Sequence, residues 1–111
     1  MAAVKSILKL TKQGDGLRIK PKVEILASQV EPLRDALQAA IADVKGAIQL
    51  DLEGITQIDS MGVTLVLGLF KSAQSTGRAF EVIGVDPNLM RVFRLFSLTK
   101  FFPVQEAGRH E

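Results

Sequence analysis

The chain has 111 residues, no cysteine and a formal net charge of +2, and 47% of its residues are hydrophobic against 23% that are charged. This length predicts one domain with a modest core, and the composition is that of a globular protein rather than a disordered one. The lack of cysteine in the sequence excludes a disulfide framework, an iron–sulfur cluster, a thiolate zinc site and a cysteine nucleophile.

Charge distribution and apolar runs restrict the partners. Residues 23–62 carry seven acidic and two basic residues, so the middle of the chain is acidic. The basic N-terminal stretch lacks interleaved aromatic side chains and a helix-turn-helix pattern, so we expect no direct nucleic-acid binding. The longest apolar run, Val63 to Phe70, is far below the roughly 20 residues that span a bilayer, and the N-terminus lacks the features of a signal peptide. We therefore expect no membrane insertion and a cytoplasmic location.

The first predicted elements are two paired strands. Apolar residues indicate strands at 4–10 and 17–26, and Gly14-Asp15-Gly16 between them is a strong turn signal. Because Pro21 cannot donate a ladder hydrogen bond, it predicts an edge or a bulge in the second strand.

A helix follows the second strand. Ser28 to Glu31 fits the S-x-x-E capping box, which predicts a helix start at Ser28. Apolar residues then recur at helical spacing up to Val44, and Gly46 is placed to end the helix.

Strands and helices alternate through the rest of the chain. The pattern predicts a strand at 47–52, the most buried helix at about 60–75, a strand at 79–85, a third helix opened by Asp86-Pro87, and a brief closing element at 98–104 before a frayed tail at 105–111. The third helix has more apolar residues than one face can use, so its surplus either packs in the core or contacts something outside the domain.

This order of elements predicts the fold class. Alternation from residue 17 to residue 97 is typical of an α/β domain, with a small mixed β-sheet whose parallel strands are joined by crossover helices packed on it. We expect a single domain over residues 1–111 with a core at about 4–104.

The sequence argues against an enzyme. It contains no glycine-rich dinucleotide or Walker motif, and its single histidine, His110, lies in the tail, which excludes a histidine triad and a multi-histidine metal site. Asp51, Glu53 and Asp59 are close in sequence, but a glycosidase-like carboxylate pair needs a substrate cleft that so short a chain can hardly supply. We expect no catalytic residue, no metal and no cofactor.

One constellation remains, Ile58-Asp59-Ser60-Met61-Gly62, placed between a strand and the most hydrophobic helix. A serine at this point can cap the helix by accepting backbone N–H groups. Because a helix N-terminus carries a partial positive charge, the same hydroxyl would also tolerate a phosphate. The residues alone leave both roles of Ser60 open.

The run LDLEGITQIDSMGVTLVLGLFKSAQSTG resembles the core of the STAS domain, the family named for sulphate transporters and anti-sigma factor antagonists. The first helix of that family, with the residues that lead into it, is similar to ILASQVEPLRDAL. The last strand, last helix and closing segment of the family are similar to FEVIGVDPNLMRVFRLFSLTKFFPV. The resemblance covers residues 17–104 and implies a STAS fold like that of SpoIIAA.

The resemblance also implies roles for individual residues. Ser60 matches the serine that anti-sigma kinases phosphorylate, and the expected partner-binding residues are Asp59, Met61, Gly62, Asp51 and Ser28. Gly62 matches a small position that lets a partner approach the helix start. The chain departs from the family at Met61, where Ser or Ala is usual, and at Leu26, where an Asp commonly precedes the first helix.

The function implied is that of an anti-sigma factor antagonist acting as a partner switch. Unphosphorylated at Ser60, it would bind an anti-sigma factor or serine-protein kinase as a monomer or weak dimer, and a serine phosphatase would reset the phosphorylated form. The alternatives are a STAS adaptor of a transporter, lipid-transport or signalling complex that is never phosphorylated, and a small nucleotide-binding α/β module. A response-regulator phosphorylation site is disfavoured because the acids that would hold Mg²⁺ are missing before the first helix.

Overall fold

The structure, a computed structural model, describes residues 7–108 of the chain. Five strands form one sheet: β1 (Leu8–Gln13), β2 (Gly16–Pro21), β3 (Ile48–Asp51), β4 (Phe80–Val85) and β5 (Val104–Glu106). Three helices connect them: α1 (Val30–Ile41), α2 (Ser60–Ser75) and α3 (Pro87–Leu95). Short 3-10 turns at Ala27–Gln29 and Leu98–Lys100 precede α1 and follow α3.

The sheet has the spatial order β1-β2-β3-β4-β5. β1 pairs antiparallel with β2, and the remaining neighbours are parallel. Each parallel pair is joined by one of the helices, as parallel strands require a crossover connection. The predicted small mixed sheet with crossover helices is therefore confirmed.

The two faces of the sheet differ in chemistry because successive side chains of a strand point to opposite sides. One face carries the buried cross-strand rows Leu17–Ile48–Phe80 and Ile19–Leu50–Val82, which join the helices in the core. The other face carries a polar row, in which Arg18 Nε donates to Gln49 Oε1 at 2.8 Å and Gln49 Nε2 donates to Glu81 Oε2 at 2.6 Å. The helices and the core thus lie on the apolar side.

The second predicted strand is shorter than expected. β2 ends at Pro21, and Ile25 then makes an isolated parallel bridge to Ile58 outside the sheet. β2 lies between β1 and β3, but its pairing with β3 ends at Ile19, so Pro21 pairs only with Leu8 of β1 and occupies the expected edge position. Residues 4–6 of the first predicted strand lie outside the described range.

The prediction of a capping box at Ser28 was wrong. Ser28 lies inside the first 3-10 turn, and α1 begins at Val30. The side chains of Leu26, the N-cap of the turn, and Gln29, the N-cap of α1, make no capping hydrogen bond. The cause is distant in sequence: the backbone N–H of Ala27 donates to the carboxylate of Asp59 at 2.8 Å, so the chain begins its turn there.

The end of α1 differs from the prediction as well. The helix ends at Ile41, and Gly46 instead pairs with the β1–β2 turn by donating its N–H to the Asp15 carbonyl at 2.8 Å. Arg78 replaces the expected glycine cap, because its Nη1 donates to the carbonyls of Ile41 at 2.7 Å and Val44 at 3.0 Å.

α2 spans Ser60–Ser75, as predicted, and has six buried residues against five in α1 and three in α3. It was expected to be the most buried helix, but α1 buries the larger fraction, five of its 12 residues against six of 16 in α2. α3 begins where the Asp86-Pro87 signal placed it, and Asp86 Oδ2 accepts the N–H of Asn88 at 2.8 Å. None of the helices within residues 7–108 has the length and apolar character needed to cross a membrane.

The closing element continues further than expected. β5 pairs parallel with β4, and Ala107 donates its N–H to the Val85 carbonyl at 2.8 Å, so Gln105 and Glu106 belong to the sheet rather than to a frayed tail. The pairing shifts register between Val82 and Val85, where Gly84 has a φ of +67°. Such a positive φ at a bulge is the conformation that favours glycine.

Candidate functional site

The connection between β3 and α2 is held in place by the segment that follows β2. Glu24 Oε1 accepts the N–H groups of Thr56 at 3.0 Å and Gln57 at 2.9 Å. Ile25 donates its N–H to the Gln57 carbonyl at 3.2 Å, next to its bridge with Ile58. These contacts fix the backbone that leads into α2.

Asp59 is the N-cap of α2 and links two helical starts. Its backbone is extended, as an N-cap requires, and its Oδ1 accepts the N–H of Gly62 at 2.9 Å. Its Oδ2 accepts the N–H of Ala27 at 2.8 Å, at the start of the 3-10 turn that contains Ser28. One carboxylate therefore brings Ser28 and the start of α2 to the same surface.

These two contacts also determine the acidity of Asp59. The N–H groups of Ala27 and Gly62 donate to the charged form of the carboxylate and hold its pKa below the ordinary value, against a smaller opposing effect of desolvation. The site therefore contains an ionised carboxylate at neutral pH.

Ser60 is the first residue of α2, one position after the cap. The sequence left capping by Ser60 open, and the structure assigns that role to Asp59 instead. Ser60 is exposed, and its hydroxyl makes no hydrogen bond to any other residue of the described range 7–108. The Ser60 hydroxyl therefore contributes no hydrogen bond to this part of the fold.

Met61 and Gly62 follow in the first turn and differ in exposure. Met61 is 48% exposed and places an apolar side chain beside Ser60. Gly62 is buried, and a Cβ atom there would collide with the Ile25 carbonyl oxygen and lie 2.8 Å from Ile58 Cγ1. The structure thus gives Gly62 an internal reason to be small, and its contact with a partner stays a prediction.

Asp51 lies away from this cluster. Its buried carboxylate accepts the N–H of Glu53 at 3.0 Å and packs against Gly84, while the Glu53 side chain lies 3.5 Å from Lys20 Nζ. Within the part of the chain that the structure describes, no hydrogen bond joins Asp51 to Asp59 or Ser60. The structure brings Ser28, Asp59, Ser60, Met61 and Gly62 together and leaves Asp51 in a supporting position at the end of β3.

Sequence reasoning missed Glu24 as part of the site. Its partners Thr56 and Gln57 are more than thirty residues away, and only the pairing of Ile25 with Ile58 brings the two segments together. A single acid after a strand carries no local signal of such a contact.

Comparison with known proteins identifies the fold and the family. The family model described as "Mlab, STAS domain" matches residues 8–105, whereas no curated protein sequence matches the chain. Among solved structures, the chain is similar to a proposed anti-sigma factor antagonist from Thermotoga maritima, at 17% identity and a TM-score of 0.86 over 96% of this chain and 92% of that one.

Two further solved structures come from different functional settings. The Bacillus cell fate determinant SpoIIAA in its phosphorylated form is 24% identical, with a TM-score of 0.66 over 92% of each chain. A sulfate transporter family protein from Wolinella succinogenes is 14% identical, with a TM-score of 0.73 over 87% of this chain and 81% of that one. Identities this low establish the fold alone, but the family model spans nearly all of the described residues. The chain belongs to the STAS domain family.

Proposed function

We propose that this STAS domain is an anti-sigma factor antagonist whose partner binding is controlled by phosphorylation of Ser60. The observation that carries the proposal is that Asp59 caps α2, while the adjacent Ser60 is exposed and its hydroxyl makes no hydrogen bond within the described residues. A kinase can therefore modify Ser60 without removing a hydrogen bond that the fold needs.

In the unmodified state, the partner-binding surface consists of Ser28, Asp59, Ser60 and Met61, with Gly62 beneath it. The exposed Met61 side chain supplies apolar contact, and the ionised Asp59 supplies charge. The partner is an anti-sigma factor or serine-protein kinase with a surface complementary to one negative charge. Asp51 acts indirectly, since it holds the first residues of the connection that carries this surface.

Phosphorylation changes the charge of this surface. A phosphate on Ser60 adds about −1.5 to −2 charges next to the Asp59 carboxylate. Within the domain, the N-terminal dipole of α2 offsets part of this charge. The partner face is complementary to the single charge of Asp59 and has no group for the additional phosphate, so the complex dissociates, and a serine phosphatase restores the binding form. In this cycle the domain is a substrate and a ligand rather than a catalyst.

The phosphorylation step is tested by incubating the purified chain with ATP, Mg²⁺ and a lysate of the cells that encode it, followed by intact-mass measurement. We expect the wild type to gain the mass of one phosphate and Ser60→Ala to gain none. Ser75→Ala is the control, because Ser75 is an exposed serine at the opposite end of α2, away from the partner-binding surface, and it should be modified like the wild type. Phosphate uptake by Ser60→Ala would contradict the assignment.

The switch itself is tested with immobilised Ser60→Ala and Ser60→Asp chains in the same lysate. We expect a protein captured by Ser60→Ala to be absent from Ser60→Asp, because the added carboxylate reproduces part of the phosphate charge. Equal capture by both variants would reject the switch.

A second candidate function is a STAS adaptor in a larger complex, with Ser60 never modified. It is supported by the Mlab description of the matching family model and by the similarity to a sulfate transporter family protein. For this adaptor, the wild type gains no phosphate, and Ser60→Ala and Ser60→Asp capture the same partner.

A further inference from the structure

The end of α3 exposes three large apolar side chains. Leu95, Phe96 and Phe101 are 78%, 46% and 54% exposed, and we refer to them as the α3-end patch. They project from seven consecutive residues of helical and turn backbone, which span roughly 10–14 Å at a rise of 1.5–2 Å per residue. The three side chains therefore form one local surface rather than scattered exposures.

The backbone explains why these side chains face outward. α3 buries Leu89, Met90 and Phe93, so its core-facing side is already occupied. The chain then turns at Ser97, whose φ of +61° is left-handed, and the next 3-10 turn buries Leu98. This arrangement leaves the end of α3 and the far side of the turn in solvent.

The patch rests on a rigid base. The Phe101 ring lies 6.3 Å from that of Phe70, which in turn lies 5.2 Å from Phe102 and 6.0 Å from Phe80. Phe102 and Phe80 are buried, so Phe101 sits at the outer rim of a packed aromatic cluster. The exposed ring of Phe101 is therefore held against the core.

The charges within the segment that carries the patch have one sign. Arg91, Arg94 and Lys100 are exposed within this segment, and Lys71 follows Phe70 in α2. Residues 87–104 contain no aspartate or glutamate. An exposed apolar segment whose own charges are all basic is complementary to a surface that is apolar inside and negatively charged at its border.

We propose that the α3-end patch docks this domain on the surface of an anionic lipid bilayer. Leucine and phenylalanine side chains that protrude between arginines and lysines are the combination that inserts at the headgroup boundary and pairs with anionic lipids. A specific protein interface instead carries directional hydrogen bonds and a mixed polar rim. The basic side chains that accompany the exposed leucine and phenylalanine residues of this segment favour the lipid surface. Docking of this kind is peripheral and needs no membrane-crossing helix.

This docking is separate from the proposed switch at Ser60. Phe70 lies ten residues after Ser60 on α2, which places the base of the patch roughly 15 Å along the helix axis from the switch. The lipid surface and a protein partner at Ser60 can therefore be bound through different parts of the domain.

The test is sedimentation of the full chain with vesicles of phosphatidylcholine alone and of phosphatidylcholine mixed with phosphatidylglycerol. We expect binding to the mixed vesicles to be at least about tenfold stronger, and to fall with salt. The double variant Leu95→Ser/Phe101→Ser should lose about tenfold or more, because the inserted apolar surface is removed. Leu10→Ser is the matched control, since Leu10 is an exposed apolar residue between Lys9 and Lys12 on β1, and it should bind like the wild type.

A second variant keeps the test valid if the double variant folds poorly. Arg91→Gln/Arg94→Gln leaves the apolar side chains in place and should weaken binding about fivefold for each charge removed. Ser60→Asp should leave vesicle binding unchanged, which separates failure of this proposal from failure of the switch.

Four results would overturn the docking proposal. They are equal binding to both kinds of vesicle, equal loss in Leu10→Ser, a dimer in ultracentrifugation that Leu95→Ser/Phe101→Ser converts to monomer, or a protein captured from lysate only through the patch while vesicles are ignored. The third result would assign the patch to a second copy of the chain, and the fourth to a protein partner.

Discussion

Two glycines of α2 have opposite surroundings. At Gly62 a Cβ atom would meet the backbone oxygen of Ile25, whereas at Gly68 it would meet nothing within 4 Å. Both positions lie in the same helix, so the comparison isolates packing from helix propensity. Gly62 is required by the contact between α2 and the segment before α1, and Gly68 is not required by the domain's own packing.

We predict that Gly62→Ala destabilises the domain by about 1–3 kcal/mol, because the Ile25 backbone must shift to accept the methyl group. Gly68→Ala, the control in the same helix, should stabilise it by roughly 0.5–1 kcal/mol, since alanine has the higher helix propensity and the space is open. Urea unfolding of both variants measures these differences. Destabilisation of equal size at the two positions would contradict the packing argument.

A second prediction at this scale concerns the charge of Asp59. Because the pKa of Asp59 in the folded chain lies below its ordinary value of 3.8, the carboxylate stabilises the folded state fully above that value. The contribution is lost as the pH falls through the folded-state pKa. Asp59→Asn removes the charge and keeps only one of the two acceptor oxygens, because its amide NH2 must face the N–H of either Ala27 or Gly62, so its Tm should lie below that of the wild type at neutral pH.

Thermal unfolding from pH 7 to pH 3 measures this difference. We expect the gap between wild type and Asp59→Asn to narrow below about pH 4, as the wild-type carboxylate becomes protonated. A gap that stays constant over the whole range would show that the charge of Asp59 contributes nothing.

At the scale of the elements, the C-terminal end of α1 receives its hydrogen bonds from a residue that lies outside the helix. Arg78, in the connection after α2, donates to the carbonyls of Ile41 and Val44, and its Nε donates to Thr76 Oγ1 at 2.7 Å. A cation at this end also suits the helix dipole. The side chain thereby ties the end of α1 to the end of α2.

We predict that Arg78→Ala destabilises the domain by about 1–3 kcal/mol, because carbonyl groups lose a charged hydrogen-bond donor. Hydrogen exchange should speed up first in the last turn of α1. Arg34→Ala removes an exposed arginine from α1 itself and should change stability by less than about 0.5 kcal/mol. Equal exchange rates in the last turn of α1 for the two variants would contradict the tie through Arg78.

The elements also show what sequence reasoning can reach. The starts of α2 and α3 were predictable because Asp59-Ser60 and Asp86-Pro87 act on their own helices. The start and the end of α1 were not predictable from the local sequence. Asp59 accepts the N–H of Ala27, in the turn before α1, from 32 residues away, and Arg78 donates to the carbonyl of Ile41, at the end of α1, from 37 residues away. The sequence placed Asp59 and Ser60 at the site and named only Ser60 as a possible cap, whereas Asp59 caps α2 through the N–H of Gly62, three residues away.

For the whole molecule, an aromatic cluster joins the closing segment to the rest of the domain. The Phe102 ring lies 5.0 Å from that of Phe80 in β4, at a right angle, and 5.2 Å from that of Phe70 in α2. β5 begins two residues after Phe102, at Val104, and has only three residues. So short a strand relies on this packing to stay in the sheet.

We predict that Phe102→Ala lowers the free energy of unfolding by about 3–5 kcal/mol, as expected for truncating a buried phenylalanine. Phe101→Ala, at the neighbouring exposed ring, should cost less than about 1 kcal/mol. Urea unfolding monitored by circular dichroism compares the two. Similar losses in both variants would show that the buried ring does not anchor the closing segment.

The double attachment of Asp59 has a consequence for retargeting the domain. Asp59 and Gly62 hold the start of α2 against the segment before α1, so replacing either residue would weaken the packing between these two segments. Ser28 and Met61 sit on the same surface with exposed side chains, and Met61 already supplies an apolar contact. Under the switch that we propose at Ser60, a library that varies Ser28 and Met61 while keeping Asp59, Ser60 and Gly62 should yield domains with new partners that keep the proposed control by Ser60.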